Sequence, residues 1–337
     1  RVEEWQAKGK YYPASVGSSF QDIFYVLDSP PKECASKEKR LLCLIHGYPT
    51  SSFDWHRVWP SLHATFTQSG IPIVAMDLLG YGFSAKPVSL EGRSDLGEQI
   101  HVQADIVEQL LLHIHCQTDE HLSAPTAVDF LVHDYGDTVG QELLHRFRNG
   151  EVDRRLGMRS IAFLNGGMEP AVHRPVLLQK ALAAPLLGGL LCRLLTRGSF
   201  GRSFSAVFGS LTQPSETELD EHWALLCYNK GWLVQPSLIK YMEQRAKHRL
   251  RWTSVLKDSG GIPWCMIDGP ADPVSGTHMA KAVAELGGCR AVPWEEACSQ
   301  EKAPFVQLLP EGIGHYPQLE SPSATLKVFQ HFHSLLS

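Results

Sequence analysis

Short apolar runs rich in β-branched residues alternate along this chain with longer stretches of helical spacing. This alternation is typical of a mainly parallel sheet whose strands are connected by helices. The predicted strands are residues 41–45, 71–76, 127–132, 160–164, 263–267 and 305–309. Residues 101–115 are predicted to be helical, because their apolar side chains recur at three- and four-residue intervals. The pattern therefore predicts an α/β fold.

The alternation stops in residues 167–261. Strand-like runs are absent from this segment, and amphipathic helical stretches separated by proline and glycine replace them. One helix start is clearly marked, because Ser215 precedes acidic residues that suit the first turn of a helix. We therefore predict a sheet domain built from residues 1–166 and 262–337, with residues 167–261 inserted between its two parts as a helical cap.

Composition narrows the possible functions. Apolar residues make up 43% of the chain and charged residues 20%, which is ordinary for a globular protein. The formal net charge of −5 provides no basic surface for nucleic acid, so we expect no nucleic-acid partner. The eight cysteines are scattered without a C-x-x-C motif, which favours free thiols, although their even number leaves pairing open. No apolar run reaches transmembrane length.

The pentapeptide from Val132 to Gly136 carries the most chemical information. It follows a predicted strand and precedes a helical pattern, which is the setting in which some hydrolases hold a nucleophile on a sharp turn. The central residue is Asp134. A carboxylate can attack an sp3 carbon without a base to activate it, and the product is an ester that water can hydrolyse. Asp134 is therefore the predicted nucleophile.

Two further candidates follow later strands. Asp272 lies after the strand 263–267 and His315 after the strand 305–309, so all three side chains should meet at the carboxyl edge of the sheet. We expect Asp272 to orient His315, which takes a proton from the water that hydrolyses the ester. Asp268 and Asn165 are alternatives for the orienting residue, but a neutral Asn would not stabilise an imidazolium.

The loop after the first predicted strand provides a place for negative charge. His46-Gly47-Tyr48-Pro49 has the form of an oxyanion loop. The backbone N–H groups of Tyr48 and Tyr135 are the predicted donors to the oxygen that becomes negative during hydrolysis. This mechanism requires neither a metal nor a cofactor, so we expect neither.

Long motifs accompany these residues and carry a family resemblance. They are HGYPTSSFDW (46–55), AMDLLGYGFSAKP (75–87), HDYGDTVGQELLHR (133–146), LNGGMEPAVHRPVLLQK (164–180), LTQPSETEL (211–219) and GHYPQLE (314–320). The chain resembles the epoxide hydrolase and haloalkane dehalogenase branch of the α/β-hydrolases. The resemblance implies an α/β-hydrolase fold with an inserted cap and a hydrophobic small-molecule substrate. It also implies an N-terminal hydrophobic segment, absent from this chain, and association with the endoplasmic reticulum membrane.

The resemblance also bears on the substrate site. Cap tyrosines of epoxide hydrolases donate hydrogen bonds to the epoxide oxygen, and Tyr241 matches one of them. No candidate for the second tyrosine is found, because the region 196–210 supplies phenylalanines instead. Tyr135 and Tyr48 occupy the positions of the tryptophan and asparagine that bind halide in dehalogenases. Epoxide opening is therefore the leading reaction.

Two departures keep other functions open. Val132 stands where the turn usually has a small residue, and a β-branched side chain there is expected to relax or reshape the turn. Asp137 adds a second carboxylate beside the nucleophile. One alternative is hydrolysis or transfer of an acyl group, with His315 as base. The other is a hydrolase scaffold that no longer catalyses and instead binds or organises at a membrane.

Overall fold

The computed structural model describes residues 1–31, 39–87, 98–118, 125–175, 179, 181 and 188–336. Nine strands in these residues form one sheet. Numbered in chain order, they are β1 (Gly9–Val16), β2 (Ser19–Asp28), β3 (Arg40–Ile45), β4 (Ile73–Met76), β5 (Thr126–His133), β6 (Leu156–Leu164), β7 (Trp264–Asp268), β8 (Ala291–Val292) and β9 (Phe305–Leu308). Their spatial order is β1-β2-β4-β3-β5-β6-β7-β9-β8.

Most of the sheet is parallel. Strands β3 to β9 pair in parallel with their neighbours, whereas β2 is antiparallel to both β1 and β4. The carboxyl ends of the parallel strands therefore meet at one edge, which is where ligands bind in such sheets.

Helices connect the strands and cover the sheet. The α-helices of the described residues are α1 (Val2–Lys8), α2 (Trp59–Thr65), α3 (Gln99–Thr118), α4 (Tyr135–Asn149), α5 (Gly188–Leu191), α6 (Arg197–Ser205), α7 (Glu216–Cys227), α8 (Gln235–Leu238), α9 (Tyr241–Lys247), α10 (Arg249–Lys257), α11 (Thr277–Leu286), α12 (Pro317–Glu320) and α13 (Pro322–Ser334). None of them is both long and apolar enough to cross a membrane.

Both faces of the sheet are buried, which explains the unbroken apolar runs of its central strands. Leu41, Cys43 and Ile45 of β3 pack in a core with α3, α4 and α11. The alternate residues Leu42 and Leu44 pack on the other face with α1, α2 and α13. The cysteines in the described part of the chain form no disulfide, and Cys34 lies outside it.

All six predicted strands are present, as β3, β4, β5, β6, β7 and β9, with their bounds shifted by a few residues. The predicted helix 101–115 lies within α3. The described residues between 167 and 261 contain helices and no strand. Ser215 begins α7 through a capping box with Glu218, as its sequence predicts. The pattern missed β1, β2 and β8.

Candidate active site

A sharp turn joins β5 to α4. The strand ends at His133 and the helix begins at Tyr135, so Asp134 forms the turn. Its backbone has φ 49° and ψ −101°, a conformation that costs a residue other than glycine about 1–3 kcal/mol. The amide of Asp134 donates to the carbonyl oxygen of Leu164 at 3.1 Å, which fixes the turn to β6. The turn thus has the strained form that presents a nucleophile at the edge of a sheet.

Close contacts explain the residues around this turn. A Cβ atom at Gly136 would lie 2.6 Å and 2.8 Å from two carbonyl oxygens at the end of β3, so no side chain fits there. A Cβ atom at Gly140 of α4 would lie 3.2 Å from Cγ2 of Val132. The missing side chain of Gly140 therefore provides the space for Val132. The expectation that Val132 relaxes the turn is wrong, because Asp134 retains its positive φ.

The two carboxylate oxygens of Asp134 have different surroundings. Oδ2 accepts a hydrogen bond from the amide of Tyr48 at 3.0 Å, whereas Oδ1 lies 3.7 Å from Nη2 of Arg245. The Tyr48 loop approaches closely, because Gly47 has no Cβ atom to meet the Asp134 side chain. Tyr135 is the first residue of α4. Its amide makes no hydrogen bond to the Asp134 carboxylate in the described structure. Oδ1 therefore differs from Oδ2 in accepting no backbone hydrogen bond from Tyr48.

The predicted histidine and acid are in direct contact. Nδ1 of His315 donates to Oδ2 of Asp272 at 2.7 Å. Asp272 also accepts hydrogen bonds from Val274 N at 2.7 Å, Ser275 Oγ at 2.8 Å and Asn165 Nδ2 at 3.1 Å. These contacts hold the carboxylate toward the imidazole and fix its orientation.

The two alternative orienting residues have other places. Asn165 donates to Asp272 and accepts from the amide of Gly269 at 2.8 Å, so it positions Asp272 without touching His315. Asp268 is fully buried, and its carboxyl oxygens make no hydrogen bond with a described residue. Burial and the charge of Asp272 raise the pKa of Asp268 well above its ordinary value, which favours the neutral carboxyl.

Charges within the site oppose the effect of burial. Burial raises the pKa of Asp134, but the charges of His315 and Arg245 outweigh it and bring the pKa below its ordinary value. Burial lowers the pKa of His315, but the charge and hydrogen bond of Asp272, with the charge of Asp134, raise it to about 9. At neutral pH the site therefore contains an ionised Asp134 and a protonated His315.

Asp137 is the second carboxyl group close to Asp134, and its surroundings disfavour a negative charge. Asp137 is fully buried in the first turn of α4. Burial, and next the charge of Asp134, raise its pKa well above the ordinary value. The surroundings of Asp137 therefore favour its neutral form over a second negative charge beside Asp134.

The cap contributes Tyr241 at the start of α9. Its ring lies 4.9 Å from the ring of Tyr135 and 6.0 Å from that of Tyr48, measured between centroids. The hydroxyl of Tyr241 is buried and has no hydrogen-bond partner in the described residues. The structure therefore brings this cap residue beside the elbow of Asp134, with a polar group still to be satisfied.

The sequence reading missed Arg245. This residue of α9 is 2% exposed, and it donates to the backbone oxygen of Asp134 at 2.8 Å and to Thr138 Oγ1 at 2.6 Å. Its guanidinium carbon lies 4.5 Å from the centre of the Tyr241 ring. Arg245 is four residues after Tyr241, and residues at this spacing share a helix face, so the spacing was an available signal.

An apolar cleft has His315 and Tyr48 among its lining residues. The cap lines it with Leu195, Phe200, Phe204, Val207 and Leu226. Phe200 and Phe204 stack with centroids 5.3 Å apart. These phenylalanines lie in the region 196–210, which has no counterpart of the second cap tyrosine of epoxide hydrolases, and they form part of the cleft wall. The cleft therefore suits an apolar ligand.

Comparison with known proteins identifies the family. The model of the Alpha/beta hydrolase family matches residues 42–328. The chain is 36% identical over 337 residues to the mesoderm-specific transcript homolog protein of Bos taurus, covering 98% of this chain and 87% of that protein.

Solved structures share the fold. The epoxide hydrolase CorEH has a TM-score of 0.66 at 17% identity, over 98% of this chain and 100% of its own. A thermophilic esterase from Thermogutta terrifontis has a TM-score of 0.67 at 13% identity, over 97% of this chain and 98% of its own. The predicted fold class and family resemblance are confirmed. The chain is an α/β-fold hydrolase and belongs to the Alpha/beta hydrolase family.

Proposed function

We propose that this hydrolase opens an epoxide, or a similarly reactive electrophile, on a hydrophobic small molecule through an ester at Asp134. One observation carries the proposal, namely that an aspartate occupies the strained turn with its two oxygens differentiated. Oδ2 is held by the amide of Tyr48, and Oδ1 faces the cap. A carboxylate in this position can form a bond to carbon without being deprotonated by a neighbour.

The first step forms the ester. A lone pair of Oδ1 attacks the less hindered epoxide carbon, and the carbon–oxygen bond breaks with its electron pair on the leaving oxygen. That oxygen needs a proton, which the hydroxyl of Tyr241 supplies; the ring of this cap residue lies 4.9 Å from the ring of Tyr135, measured between centroids. Tyr241 regains its proton from solvent. The product of this step is an ester of Asp134.

The second step hydrolyses the ester. Water adds to the carboxyl carbon of Asp134 while Nε2 of His315 takes its proton, and the amide of Tyr48 stabilises the negative charge on Oδ2. Collapse releases the product with Oδ1, and His315 returns the proton to the departing oxygen. The carboxylate thereby acquires one oxygen atom from water at every turnover.

Ester formation also prepares the base. The charge of Asp134 is one of the causes that raise the pKa of His315 to about 9. Alkylation removes this charge, so the pKa of His315 falls and the imidazole becomes a better base when the ester is present. This order suits an aspartate nucleophile, because a serine would need a neutral imidazole at the outset.

The cleft supports an apolar substrate. Its cap wall is formed by aliphatic and phenylalanine side chains, and burial of such surface stabilises a bound apolar group by about 25 cal/mol per Å². Tyr135 and Tyr48 provide no indole or carboxamide for a halide. Epoxides of aromatic or long-chain compounds are therefore the proposed class.

The proposal is tested by isotope incorporation. The enzyme would be incubated with a panel of aryl and fatty-acid epoxides in water containing ¹⁸O over many turnovers. Peptide mass spectrometry of the fragment with Asp134 is expected to show heavy oxygen, and the label should be absent in His315→Gln. Diol formation without label would indicate direct attack by water. Absence of turnover on every substrate would favour a scaffold without catalytic activity.

A further inference from the structure

Three side chains that can ligate a metal meet where the sheet domain contacts the cap. Glu98 directly precedes α3 and His101 lies in its first turn, at a spacing that places two side chains on the same face of a helix. His248 is the residue between α9 and α10 of the cap. One carboxylate oxygen of Glu98 and one ring nitrogen of each histidine all lie within 4.8 Å of one another. The fold thus brings ligand atoms from two distant parts of the chain together.

Hydrogen bonds determine which nitrogen of each histidine carries a proton. Nε2 of His248 lies 2.9 Å from Oε2 of Glu98, and Nδ1 of His101 lies 3.0 Å from Oε1 of Glu142. A carboxylate only accepts hydrogen bonds, so the imidazole nitrogen is the donor in each pair. The neutral ring of His101 therefore keeps its lone pair on Nε2, and a metal requires such a lone pair.

The surroundings hold both imidazole rings in place. The carboxylate of Glu142 is fully buried and also accepts hydrogen bonds from Arg251 and Trp252, each at 2.8 Å, which fix its orientation toward His101. Metal-binding histidines usually donate their second ring nitrogen to a carboxylate of this kind. The ring of Trp252 lies 5.2 Å from that of His248 and 6.1 Å from that of His101, measured between centroids. The two histidines are therefore oriented before any ion binds.

The donor set fits zinc. Two imidazoles and a carboxylate are common ligands of Zn²⁺, at distances of about 2.0–2.2 Å from the metal, and tetrahedral geometry then places two ligands about 3.3 Å apart. The 2.9 Å between Nε2 of His248 and Oε2 of Glu98 is close to this separation. Zn²⁺ can therefore replace the proton between these two atoms with a small movement. Mg²⁺ and Ca²⁺ prefer ligand sets made of oxygen atoms.

The cluster is open to solvent. The side chains of His101, His248 and Glu98 are 26%, 22% and 40% exposed. An ion can therefore enter from water and retain a water molecule as its fourth ligand. Lys247 opposes binding, because its ammonium group pairs with Oε1 of Glu98. The side chain of Lys247 is 62% exposed, so it can turn into solvent when a cation occupies the cluster.

We propose that Glu98, His101 and His248 form a zinc site that ties the cap to the sheet domain. The inference is independent of the proposed function, because it involves none of the candidate catalytic residues. Zn²⁺ displaces the proton on Nε2 of His248 into solvent, so binding weakens as the pH falls. His248 directly follows α9, the helix that carries Tyr241. The bound ion therefore restrains the cap beside the candidate active site.

Two separate hydrogen-bonded pairs are the alternative to a metal site. His248 with Glu98 and His101 with Glu142 would then be ordinary contacts, and Zn²⁺ would bind only to thiols or other histidines. The two interpretations differ in the effect of Lys247. A positive charge beside Glu98 weakens a cation site there, so its removal should strengthen Zn²⁺ binding. The same substitution should have no effect on an ion bound elsewhere.

The experiment uses the full chain without a histidine tag, after metals have been removed with a chelator and the chelator has been washed out. Isothermal titration calorimetry with Zn²⁺ gives the stoichiometry and Kd. The absorption spectrum with Co²⁺ distinguishes nitrogen and oxygen ligands from thiolates. The variants are Glu98→Gln, His101→Gln, His248→Gln and Lys247→Gln. His63→Gln is the matched control, because His63 pairs with Asp28 at 2.6 Å outside the cluster.

We expect the chain to bind Zn²⁺ in a one-to-one ratio, without thiolate bands in the Co²⁺ spectrum. Each of the three ligand substitutions should weaken binding by more than about 100-fold, because loss of a partner outside the ligand shell already costs about 10–100-fold. Lys247→Gln should tighten binding by up to about 10-fold, the Coulomb effect of one charge about 6 Å from a divalent ion in water. His63→Gln should bind like the wild type. Thermal unfolding without metal shows that each variant is folded.

Other outcomes would overturn the inference in distinguishable ways. Absence of stoichiometric binding to the wild type would show that the cluster is two hydrogen-bonded pairs. A Kd that the three ligand substitutions leave unchanged, or thiolate bands in the Co²⁺ spectrum, would place the ion elsewhere on the chain. An unchanged Kd in Lys247→Gln would show that the bound ion does not contact Glu98.

Discussion

The protonation of His315 provides the most quantitative test of the site. Burial lowers its pKa, but the charge and hydrogen bond of Asp272 together with the charge of Asp134 raise it from 6.5 to about 9. Asp272→Asn removes the nearest negative charge and keeps a side chain of similar shape. We predict that the pKa of His315 falls below 6.5 in this variant, because burial then outweighs the remaining charge.

This shift has a consequence for stability. The pKa of His315 in the folded protein lies above its unfolded value. Its contribution to the free energy of unfolding is therefore fully present below pH 6.5 and is lost as the pH rises through 9. The difference between 9 and 6.5 corresponds to about 3 kcal/mol at 1.36 kcal/mol per pKa unit. We therefore compare the free energy of unfolding of the wild type with that of Asp272→Asn. The difference between them should fall by up to about 3 kcal/mol between pH 6.5 and pH 9.

The comparison with the variant removes other titrations. Lys86, whose pKa is lowered by burial to about 8, titrates in the same interval in both proteins and cancels in the difference. Urea unfolding at a series of pH values gives the free energies, and NMR of the imidazole Cε1–H group gives the pKa. The resonance of His315 is identified by its absence in His315→Gln. A wild-type pKa at or below 6.5, or one that Asp272→Asn leaves unchanged, would refute the reasoning.

Three substitutions test other parts of the site, and each is measured by turnover and by urea unfolding. Asp134→Asn should abolish turnover. The fold should be retained, because the amide oxygen of Asn can still accept a hydrogen bond from the amide of Tyr48. Surviving turnover would indicate that His315 activates water directly. Gly136→Ala should destabilise the protein by about 1–3 kcal/mol and reduce turnover, since the added Cβ atom would lie 2.6 Å from a backbone oxygen. An unchanged free energy of unfolding would contradict this close contact. Glu142→Gln should destabilise the protein by about 1–3 kcal/mol, because the fully buried carboxylate of Glu142 accepts charged hydrogen bonds from the partly buried Arg146 and Arg251. An unchanged free energy of unfolding would show that these contacts contribute little.

Much of the fold is predictable because both faces of its central strands are buried. The runs in β3, β4 and β5 are almost wholly apolar and stand out in the sequence. Strand β1 does not, because most of its residues are exposed or partly exposed. Strand β2 contains an apolar run at residues 23–27, four of them buried, but polar residues precede it and the run was not recognised as a strand. The two residues of β8 are too few for any periodic signal.

The candidate site was predictable to the extent that its residues follow strands. Asp134, Asp272 and His315 each lie just after a strand, and the shared edge of a parallel sheet brings such positions together. Arg245 follows no strand. It lies in a basic stretch that, by sequence alone, resembles the solvated face of a helix. Its burial comes from long-range contacts with Thr138, Asp134 and Gly167.

The packing of Val132 shows a similar limit. A β-branched residue before the nucleophile seemed incompatible with a tight turn when considered locally. The space for it is provided by Gly140, one turn and a half further along α4, so the compensation is between a strand and the helix that follows it. Local preference rules cannot show such a pairing, because it depends on which faces of the two elements meet.

The charges of the site favour an aspartate nucleophile over base-activated acyl hydrolysis. In the resting site, Asp134 and Asp272 balance Arg245 and protonated His315, and a protonated imidazole cannot deprotonate water. Alkylation of Asp134 removes one negative charge and leaves a net positive charge, which favours release of the proton from His315. The positive charge returns when His315 takes a proton from water, and it then stabilises the oxygen that becomes negative. In the proposed reaction, the base is therefore weak until the ester exists, and the order of the two steps follows from the charges of these four side chains.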